Sequence, residues 1–334
     1  MSREEVTVVR LTVIVLSVVY LVLGSAVAQD HYPSKPIRII LPYGAGSATD
    51  IITRIMCEQL RQILGQSCVV DNKPGAFGIL AIEEMARARP DGYTLQVGNV
   101  STNAIAPVLF AQKFSINYEK DVVPVARLAD IPSFFIITTK DFPPRSVAEF
   151  IAYVQQNPGK IRYASPGVGS FPHFDMELLA KQNGLSMVHI PIKAGPPGYI
   201  NEMVGGDIHV ATINVATATP MVKAGQLRAL AVNSEQRLPE YPDVPTIAEA
   251  GYPGIMTVLW AGLFAPAATP RDVLATLQQA VLQALNSPLV QAAYKRQIIR
   301  SGPTKSLDDA KSWLANEIAI WKNNMQEVKI DLTE

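Results

Sequence analysis

The sequence contains few cysteines, few histidines and no excess of charge of either sign. Among 334 residues there are 2 cysteines and 4 histidines, and 29 Lys and Arg balance 29 Asp and Glu. Because phosphate binding requires an excess of basic residues on one face, this balance argues against a nucleic-acid partner. The histidines are scattered and there is no Cys-x-x-Cys motif, so we expect no bound metal ion.

The two cysteines leave two states open. If Cys57 and Cys68 pair in an oxidising compartment, the disulfide stabilises the fold by about 3 kcal/mol in the chain-entropy model. The sequence pattern places Cys57 on a helix and Cys68 at the start of the following strand, which does not fix the distance between their Cα atoms. Two buried thiols are the alternative.

The N-terminal 28 residues have the features of a secretory signal peptide. Arg10 precedes a mostly apolar stretch at residues 11–24, and the small-x-small pattern Ala26-Val27-Ala28 follows. An uncleaved anchor is the alternative, but it needs nearer to about 20 apolar residues to span a bilayer. We therefore expect cleavage after Ala28 and a mature chain secreted to the periplasm.

From residue 37 onward, strand-like and helix-like segments alternate, which is typical of an α/β fold with parallel strands. In the first part, the pattern predicts strands at Ile37–Leu41, Cys68–Asp71 and Tyr93–Gly98, helices at Thr49–Leu64 and Ile79–Ala88, and one departing strand at Arg127–Thr139. In the second part it predicts strands at residues 161–164, 187–190, 208–213 and 227–232 and helices at residues 147–156, 174–182, 198–204 and 216–223. A strand at Trp260–Ala265 and three helices, the last at Asp308–Val328, complete the chain.

The length of the chain favours two lobes, since a single packed core stops growing near roughly 250–300 residues. We assign residues 29–129 and 251–334 to a first lobe and residues 130–250 to a second lobe. Segments that cross between two α/β lobes leave a cleft, and small ligands commonly bind in such clefts. The functional site is therefore expected between the lobes.

Three strand-to-helix turns have the composition of an anion-binding cradle. They span Pro42–Asp50, Gly98–Asn103 and Ser165–Ser170, and each combines glycine with serine or threonine. Glycine lets the backbone approach a ligand, hydroxyl groups add donors, and the following helix supplies free N–H groups. The same residue types are typical helix N-caps, so a purely structural role is the alternative for each turn.

A dinucleotide-binding interpretation of the first turn is weaker. Gly44 and Gly46 follow an apolar strand, and Asp71 ends the next strand, as in a nicotinamide-binding fingerprint. However, Thr49 replaces the third glycine of that fingerprint and Pro42 precedes the turn. We therefore expect no cofactor.

A catalytic interpretation of the third turn is also weaker. Ser165 or Ser170, together with His173 and Asp175, has the composition of a catalytic triad. Residues two positions apart on a helix face different directions, so Asp175 is poorly placed to orient His173. No Gly-x-Ser-x-Gly motif occurs either. We therefore expect a protein that is not an enzyme, and a secreted α/β enzyme acting on small carboxylates is the alternative.

Many short motifs, each weak alone, occur in the order found in one receptor family. They are Tyr32-Pro33-Ser34-Lys35-Pro36-Ile37-Arg38, Pro42-Tyr43, Asp71-Asn72-Lys73-Pro74-Gly75-Ala76, Pro90-Asp91-Gly92-Tyr93-Thr94-Leu95, Tyr163-Ala164-Ser165-x-Gly167-x-Gly169-Ser170-x-x-His173, Leu227-Arg228-Ala229-Leu230-Ala231-Val232, Asp243-Val244-Pro245-Thr246 and Gly262-Leu263-Phe264-Ala265-Pro266. The sequence resembles the periplasmic solute receptors of tripartite tricarboxylate transporters, the TctC-like or Bug-type substrate-binding proteins. The resemblance implies a two-lobed periplasmic binding protein fold of type II (Venus flytrap) that closes on a carboxylate-bearing solute.

The resemblance also implies which residues contact the ligand. The matching positions of the first lobe are Tyr43, Gly46, Ser47, Ser101 and Thr102, and those of the second lobe are Ser165, Gly169, Ser170 and His173. Asp50 also matches, but we expect it to cap its helix rather than touch an anion. No cofactor is implied, and the partners are a small organic acid and the membrane permease subunits, or a sensor kinase instead of the permease. We expect a monomer.

The departures from the family pattern bear on the ligand. Phe77 and Phe171 stand where the family usually has small residues, so both are included among the predicted ligand-binding residues. The family usually has a carboxylate in the strand that here reads Ile208-His209-Val210, and an Asp is common at the position of Ile213. The absence of these acidic groups argues against an amino-acid ligand with its ammonium group. Two ligand classes stay open: an aromatic mono- or dicarboxylate covered by the two rings, or an aliphatic dicarboxylate.

Overall fold

The computed structural model describes residues 32–192 and 195–328. The predicted signal peptide at residues 1–28 lies outside these ranges. Within these ranges, the residues from Lys35 onward form one compact unit. Within the described ranges, no helix has both the length and the apolar character that crossing a membrane requires.

Within these ranges, ten strands form two five-stranded sheets. The strands are β1 (Ile37–Leu41), β2 (Cys68–Asn72), β3 (Thr94–Asn99), β4 (Val122–Ile131), β5 (Ser133–Thr138), β6 (Ile161–Ser165), β7 (Met187–Pro191), β8 (Val210–Asn214), β9 (Leu227–Val232) and β10 (Leu259–Pro266). The first sheet has the order β2-β1-β3-β10-β4 and the second the order β7-β6-β8-β5-β9. The α/β class and the two-lobed periplasmic binding protein fold predicted from the sequence are confirmed.

Helices cover both sheets, so the strands are apolar along most of their length. The helices are α1 (Ala48–Leu64), α2 (Ile79–Ala86), α3 (Ala106–Leu109), α4 (Tyr118–Asp121), α5 (Val147–Gln156), α6 (Phe171–Asn183), α7 (Pro196–Gly205), α8 (Val215–Lys223), α9 (Arg271–Leu285), α10 (Pro288–Arg296) and α11 (Leu307–Glu327). Short 3-10 turns at Ala76–Gly78 and Ala111–Lys113 and a π-helical turn at Ser101–Ile105 join them. In the second lobe, separate apolar clusters pack on the two faces of the sheet.

The predicted parallel arrangement of β2, β1 and β3 is confirmed, and the other two strands of the first sheet pair in the antiparallel sense. Strand β10 runs antiparallel to both β3 and β4. The reason is the path of the chain: β4 leads out of the first sheet, and β10 brings the chain back from the second. The antiparallel strands therefore mark the two places where the lobes are connected.

The prediction of one strand over residues 127–139 is wrong, because two strands in different sheets share this stretch. Strand β4 ends at Ile131, β5 begins at Ser133, and Pro132 separates them. Proline has no N–H to continue a ladder, so the hydrogen-bonded pairing ends there. The lobe boundaries at residues 129 and 250 stay predictions, while the strands change sheet at Pro132 and between Val232 and Leu259.

Capping residues set both ends of helix α1. The Ser47 hydroxyl accepts a hydrogen bond from the Asp50 N–H, and Gly65 ends the helix in the left-handed conformation at φ 70°. The helix carries Cys57, which is buried, and the chain then returns to Cys68 at the start of β2. Both cysteines are free thiols in this structure, and Cys68 is partly exposed rather than buried.

Helix α6 begins three residues earlier than predicted. Ser170 is extended at φ −75° and ψ 155°, and the helix starts at Phe171 with Pro172 in its first turn. Proline is favoured in a first turn because its missing N–H has no intrahelical partner there. The earlier start places Phe171 and His173 in the first turn, beside the loop that precedes the helix.

Candidate functional site

Two predicted turns of the first lobe are joined by hydrogen bonds. The Tyr43 hydroxyl lies 2.8 Å from Thr102 Oγ1, and the Asn99 N–H donates to the same oxygen at 3.1 Å. Burial raises the pKa of Tyr43 far above its usual range, so this hydroxyl is a neutral hydrogen-bonding group. At Gly98, an added Cβ would lie 1.7 Å from Asn103 Oδ1, so the close packing of this turn requires glycine.

The carboxylate of Asp50 is fully occupied within its own lobe. It accepts hydrogen bonds from the Gly46 N–H at 2.9 Å, from Arg54 at 3.0 Å and from Asn72 at 3.0 Å. Burial favours the neutral acid, but the bonds from Arg54, Asn72 and Gly46 together hold the pKa of Asp50 below its usual value. Asp50 is therefore an internal anion that shapes the turn around Ser47.

The two lobes meet at Ser101. Its N–H donates to Asn99 Oδ1 at 2.9 Å, and its hydroxyl accepts a hydrogen bond from the Phe171 N–H at 3.3 Å. Ser101 follows β3 of the first sheet, whereas Phe171 begins α6 beside the second sheet. Nearby, a Cβ added at Gly169 would lie 2.8 Å from Leu109 Cδ2, so the second-lobe loop also packs closely against α3.

The third predicted turn folds back on itself. The Ser170 hydroxyl donates to the Gly167 carbonyl at 2.7 Å, and the Ser165 hydroxyl lies 3.1 Å from both the N–H and the carbonyl of Gly167. The Gly169 N–H donates to His173 Nδ1 at 3.3 Å. The Gly46 N–H likewise donates to Asp50. Two of the predicted backbone donors, those of Gly46 and Gly169, therefore already have partners close to them in the chain.

Three rings stack beneath this turn. The His173 and His189 rings have centroids 4.2 Å apart, and Tyr163 stacks on His189 at 4.9 Å. Burial lowers the pKa of each histidine to about 4, and for His189 the neighbouring His173 lowers it further. Both imidazoles are therefore neutral at neutral pH. The sequence reasoning missed His189, although a lone histidine within the apolar run of β7 was the available signal.

The structure does not assemble the serine, histidine and aspartate considered as a triad. Asp175 is buried and accepts hydrogen bonds from the Thr257 N–H at 3.0 Å and its hydroxyl at 2.7 Å, instead of orienting His173. Burial raises the pKa of Asp175 to about 7. The histidine that contacts Ser165 is His189, with Nε2 at 2.7 Å from Oγ.

This serine and histidine pair lacks the other features of a nucleophile and base. Ser165 is completely buried, so its oxygen cannot meet a substrate carbonyl without rearrangement. A pKa near 4 makes His189 a weak base, and its Nδ1 has no acidic partner in the described part of the chain. The described ranges also contain no group of three or more His, Cys, Asp or Glu placed to hold a metal ion.

The two phenylalanines occupy different environments. Phe77 is 41% exposed, adopts the left-handed conformation at φ 52°, and packs on Phe110 with centroids 4.7 Å apart. The next residue, Gly78, lies close to Thr102 and Pro42. The Phe77 ring therefore lies beside the first-lobe turns. Phe171 is buried at the start of α6, and its backbone contacts Ser101.

The chain is similar to known receptor proteins. The family model described as "Tripartite tricarboxylate transporter family receptor" matches residues 52–329. The protein BugT of Bordetella pertussis is 30% identical over 308 residues, which cover 91% of this chain and 93% of that protein.

Two solved structures from Rhodopseudomonas palustris are similar over nearly their whole length. MatC with bound malate is 30% identical, with a TM-score of 0.77, and the match covers 88% of this chain and 99% of MatC. R. palustris Rpa4515 with adipate is 28% identical, with a TM-score of 0.81, and the match covers 90% of this chain and 99% of Rpa4515. The chain with its two sheets and facing turns therefore belongs to the receptor family of the tripartite tricarboxylate transporters, a family of periplasmic solute-binding proteins.

Proposed function

We propose that this protein captures a small organic acid between its two lobes and delivers it to the permease of a tripartite tricarboxylate transporter. The observation that carries the proposal is the meeting of hydroxyl and amide groups from both lobes at Ser101 and Phe171. A ligand that contacts both lobes favours the closed form, because only differential affinity shifts such an equilibrium. The solved relatives that hold malate and adipate support a carboxylate ligand.

The chemistry of the facing turns favours an acid without an amino group. Asp50 is occupied by Arg54 and Asn72, and Asp175 is occupied by Thr257. Neither carboxylate is therefore available to an ammonium group, whereas neutral hydroxyl donors suit a carboxylate oxygen. This supports mono- and dicarboxylates over amino acids.

A thermal-shift screen of residues 29–334 tests the proposal after bound ligand has been removed by unfolding and refolding. The panel contains aliphatic di- and tricarboxylates, aromatic carboxylates, amino acids and NAD. A ligand present at a hundred times its Kd adds about 2.7 kcal/mol to stability, which raises the Tm by several degrees. A shift with one class of carboxylate and none with NAD is the expected result. If no acid of the panel raises the Tm, the proposal is contradicted.

The choice between aromatic and aliphatic acids depends on Phe77 and Phe171. If the ligand is aromatic, Phe77→Ala weakens its binding by removing an exposed ring beside the first-lobe turns. Leu80→Ala is a matched control, since Leu80 is 69% exposed on the adjoining helix and is not a predicted ligand contact. If Phe77→Ala and Phe171→Ala both leave the Kd of aromatic acids unchanged, the two rings do not cover an aromatic ligand and that interpretation is removed.

The delivery step requires export and a membrane partner. We infer that the mature chain begins after Ala28 and acts in the periplasm, as the family of periplasmic binding proteins supports. N-terminal sequencing of the exported protein tests the cleavage site. Uptake of the identified acid by cells with and without the receptor separates delivery to a permease from a role in sensing.

A further inference from the structure

Strand β7 places His189 directly beside the end of β6. The two strands are parallel, and Tyr163 on β6 is the register partner of His189. From this position the His189 ring reaches two residues along β6, where its Nε2 lies 2.7 Å from Ser165 Oγ. The ring is therefore in contact with the residue at which the strand ends and the predicted ligand-binding turn begins.

The position of Ser165 determines the start of that turn. Its Oγ lies 3.1 Å from both the N–H and the carbonyl oxygen of Gly167, so one hydroxyl closes the first bend of the loop. Ser170, at the other end, is tied to the same Gly167 carbonyl at 2.7 Å. Movement of Ser165 is thus transmitted to the backbone that leads to Gly169.

The surrounding hydrogen bonds show which atom donates in the contact between His189 Nε2 and Ser165 Oγ. The Nδ1 atom of His189 is buried without a partner in the described part of the chain. A buried N–H left unpaired there is costly, so we assign the proton to Nε2, which donates to Ser165. The Ser165 hydroxyl then donates to the Gly167 carbonyl and accepts from the Gly167 N–H.

His173, which stacks on His189, holds the turn at residues 165–170 near its other end, at Gly169. Its ring centroid lies 4.2 Å from that of His189, and its Nδ1 accepts the Gly169 N–H at 3.3 Å. An imidazolium form of His173 would have no acceptor site for this N–H. Burial lowers the pKa of both rings to about 4, which agrees with two neutral imidazoles holding the turn from below.

We propose that His189 is a positioning residue of the solute site, whose ring fixes Ser165 and thereby the turn that carries Gly169 and Ser170. This inference rests on the proposed function, because it concerns the affinity of that same site for an organic acid. His189 need not touch the ligand, since it acts through the Ser165 hydroxyl.

The test compares variants at His189, Ser165 and His209 with the wild type, using the acid that gives the largest thermal shift in the carboxylate panel. His189→Leu keeps an apolar side chain at this position but removes the donor, and His189→Gln restores an N–H that reaches Ser165. His209→Leu is the control, since His209 is another histidine of the second lobe and its Nδ1 accepts the backbone N–H of Arg162 at 3.0 Å. His209 lies just before β8, at the end of the sheet opposite to Ser165.

Calorimetric Kd values and Tm values are measured for each protein. We expect His189→Leu to raise the Kd about tenfold, His189→Gln to stay within about threefold of the wild type, and His209→Leu to lower the Tm without changing the Kd. Because His189 acts through Ser165, the double variant His189→Leu with Ser165→Ala should bind no more weakly than Ser165→Ala alone. A Kd for His189→Leu that matches the wild type overturns the inference, and so do additive effects in the double variant.

The wild-type titration separates this inference from the proposed function. If the wild type binds no acid of the panel, the proposed function fails and the positioning role fails with it. If the wild type binds while His189→Leu binds equally well, only the positioning role is overturned. NMR of the ligand-free protein adds an independent reading, because the assignment requires a proton on His189 Nε2 and none on Nδ1.

Discussion

The hydroxyl of Ser101 accepts a hydrogen bond at 3.3 Å from the backbone N–H of Phe171, and this bond joins the two lobes. Ser101 follows the third strand of the first sheet, and Phe171 is the first residue of a helix in the second lobe. The hydroxyl has one hydrogen of its own, so it can donate to a ligand oxygen while it accepts from Phe171. If the ligand contacts Ser101, as the proposed function requires, ligand binding and lobe closure depend on the same oxygen atom.

Two substitutions at Phe171 distinguish the contribution of its backbone N–H to binding from that of its ring. Phe171→Ala removes the ring and keeps the N–H, whereas Phe171→Pro removes both. Proline suits this position, because Ser170 before it is extended at φ −75° and ψ 155° and a first helical turn tolerates proline. We expect Phe171→Pro to bind the ligand about two- to tenfold more weakly than Phe171→Ala, which is the effect of one hydrogen bond. Equal Kd values for the two variants would show that the N–H does not support closure.

Asn233 holds together the two segments that cross between the lobes. Its side chain accepts the Ser133 N–H at 2.5 Å and donates to the Thr257 carbonyl. Ser133 begins the strand that enters the second lobe, and Thr257 lies just before the strand that returns to the first. Because Asn233 is buried, its removal leaves two backbone groups without partners.

Asn233→Ala should therefore lower the free energy of unfolding by about 1–3 kcal/mol, as measured by urea denaturation. Asn233→Asp keeps the acceptor for Ser133 but places a carboxylate against the Thr257 carbonyl. We expect the Asp variant to be destabilised at neutral pH and to recover on acidification, when the acid can donate a hydrogen bond. A pH-independent loss in Asn233→Asp would contradict this account of the crossing segments.

Asp175 should make stability depend on pH in the opposite direction to the histidines. Its pKa is raised from an ordinary 3.8 to about 7 by burial, so the unfolded state loses its proton first as the pH rises. The carboxyl group therefore reduces stability progressively between about pH 4 and pH 7, by an amount on the order of 4 kcal/mol. His173 and His189, whose pKa values fall to about 4, reduce stability as the pH falls from about 6.5 toward 4.

Asp175→Asn isolates the first of these effects. The amide keeps an acceptor for the Thr257 N–H and cannot ionise. The stability of the variant relative to the wild type should therefore increase between about pH 4.5 and about pH 7, which is the window of the pKa shift. Asp308→Asn is the control, because Asp308 is exposed on the last helix. A difference between Asp175→Asn and wild type that stays constant over this range would mean that Asp175 ionises normally.

The two thiols should differ in reactivity. The contact between the two thiols lowers the pKa of Cys68, whereas this contact and burial raise the pKa of Cys57, so we assign Cys57 as the donor of a hydrogen bond to Cys68. Iodoacetamide should therefore alkylate Cys68 first in the native protein, as mass spectrometry of its peptides will show. Cys57→Ala should slow the reaction of Cys68, and Cys57→Ser, which keeps a donor, should slow it less. Equal alkylation rates at both positions would contradict the assigned hydrogen bond.

Much of the secondary structure could be predicted from the sequence. The strands at residues 37–41 and 227–232 and the helix at residues 147–156 have the predicted bounds. Their limits are set locally by proline, glycine and capping residues, and Ser146 caps the helix. The break at Pro132 was missed, because a continuous apolar run does not reveal that its two halves belong to different sheets.

The sequence by itself determined the α/β class, the receptor family and the three turns where polar residues follow strands, because periodicity, turn residues and motif order are local properties of the chain. Only the tertiary structure decided which groups meet. It paired Ser165 with His189 rather than His173, tied Asp175 to Thr257, and brought Ser101 to Phe171. These contacts depend on strand register and on the packing of distant segments, which no local pattern encodes.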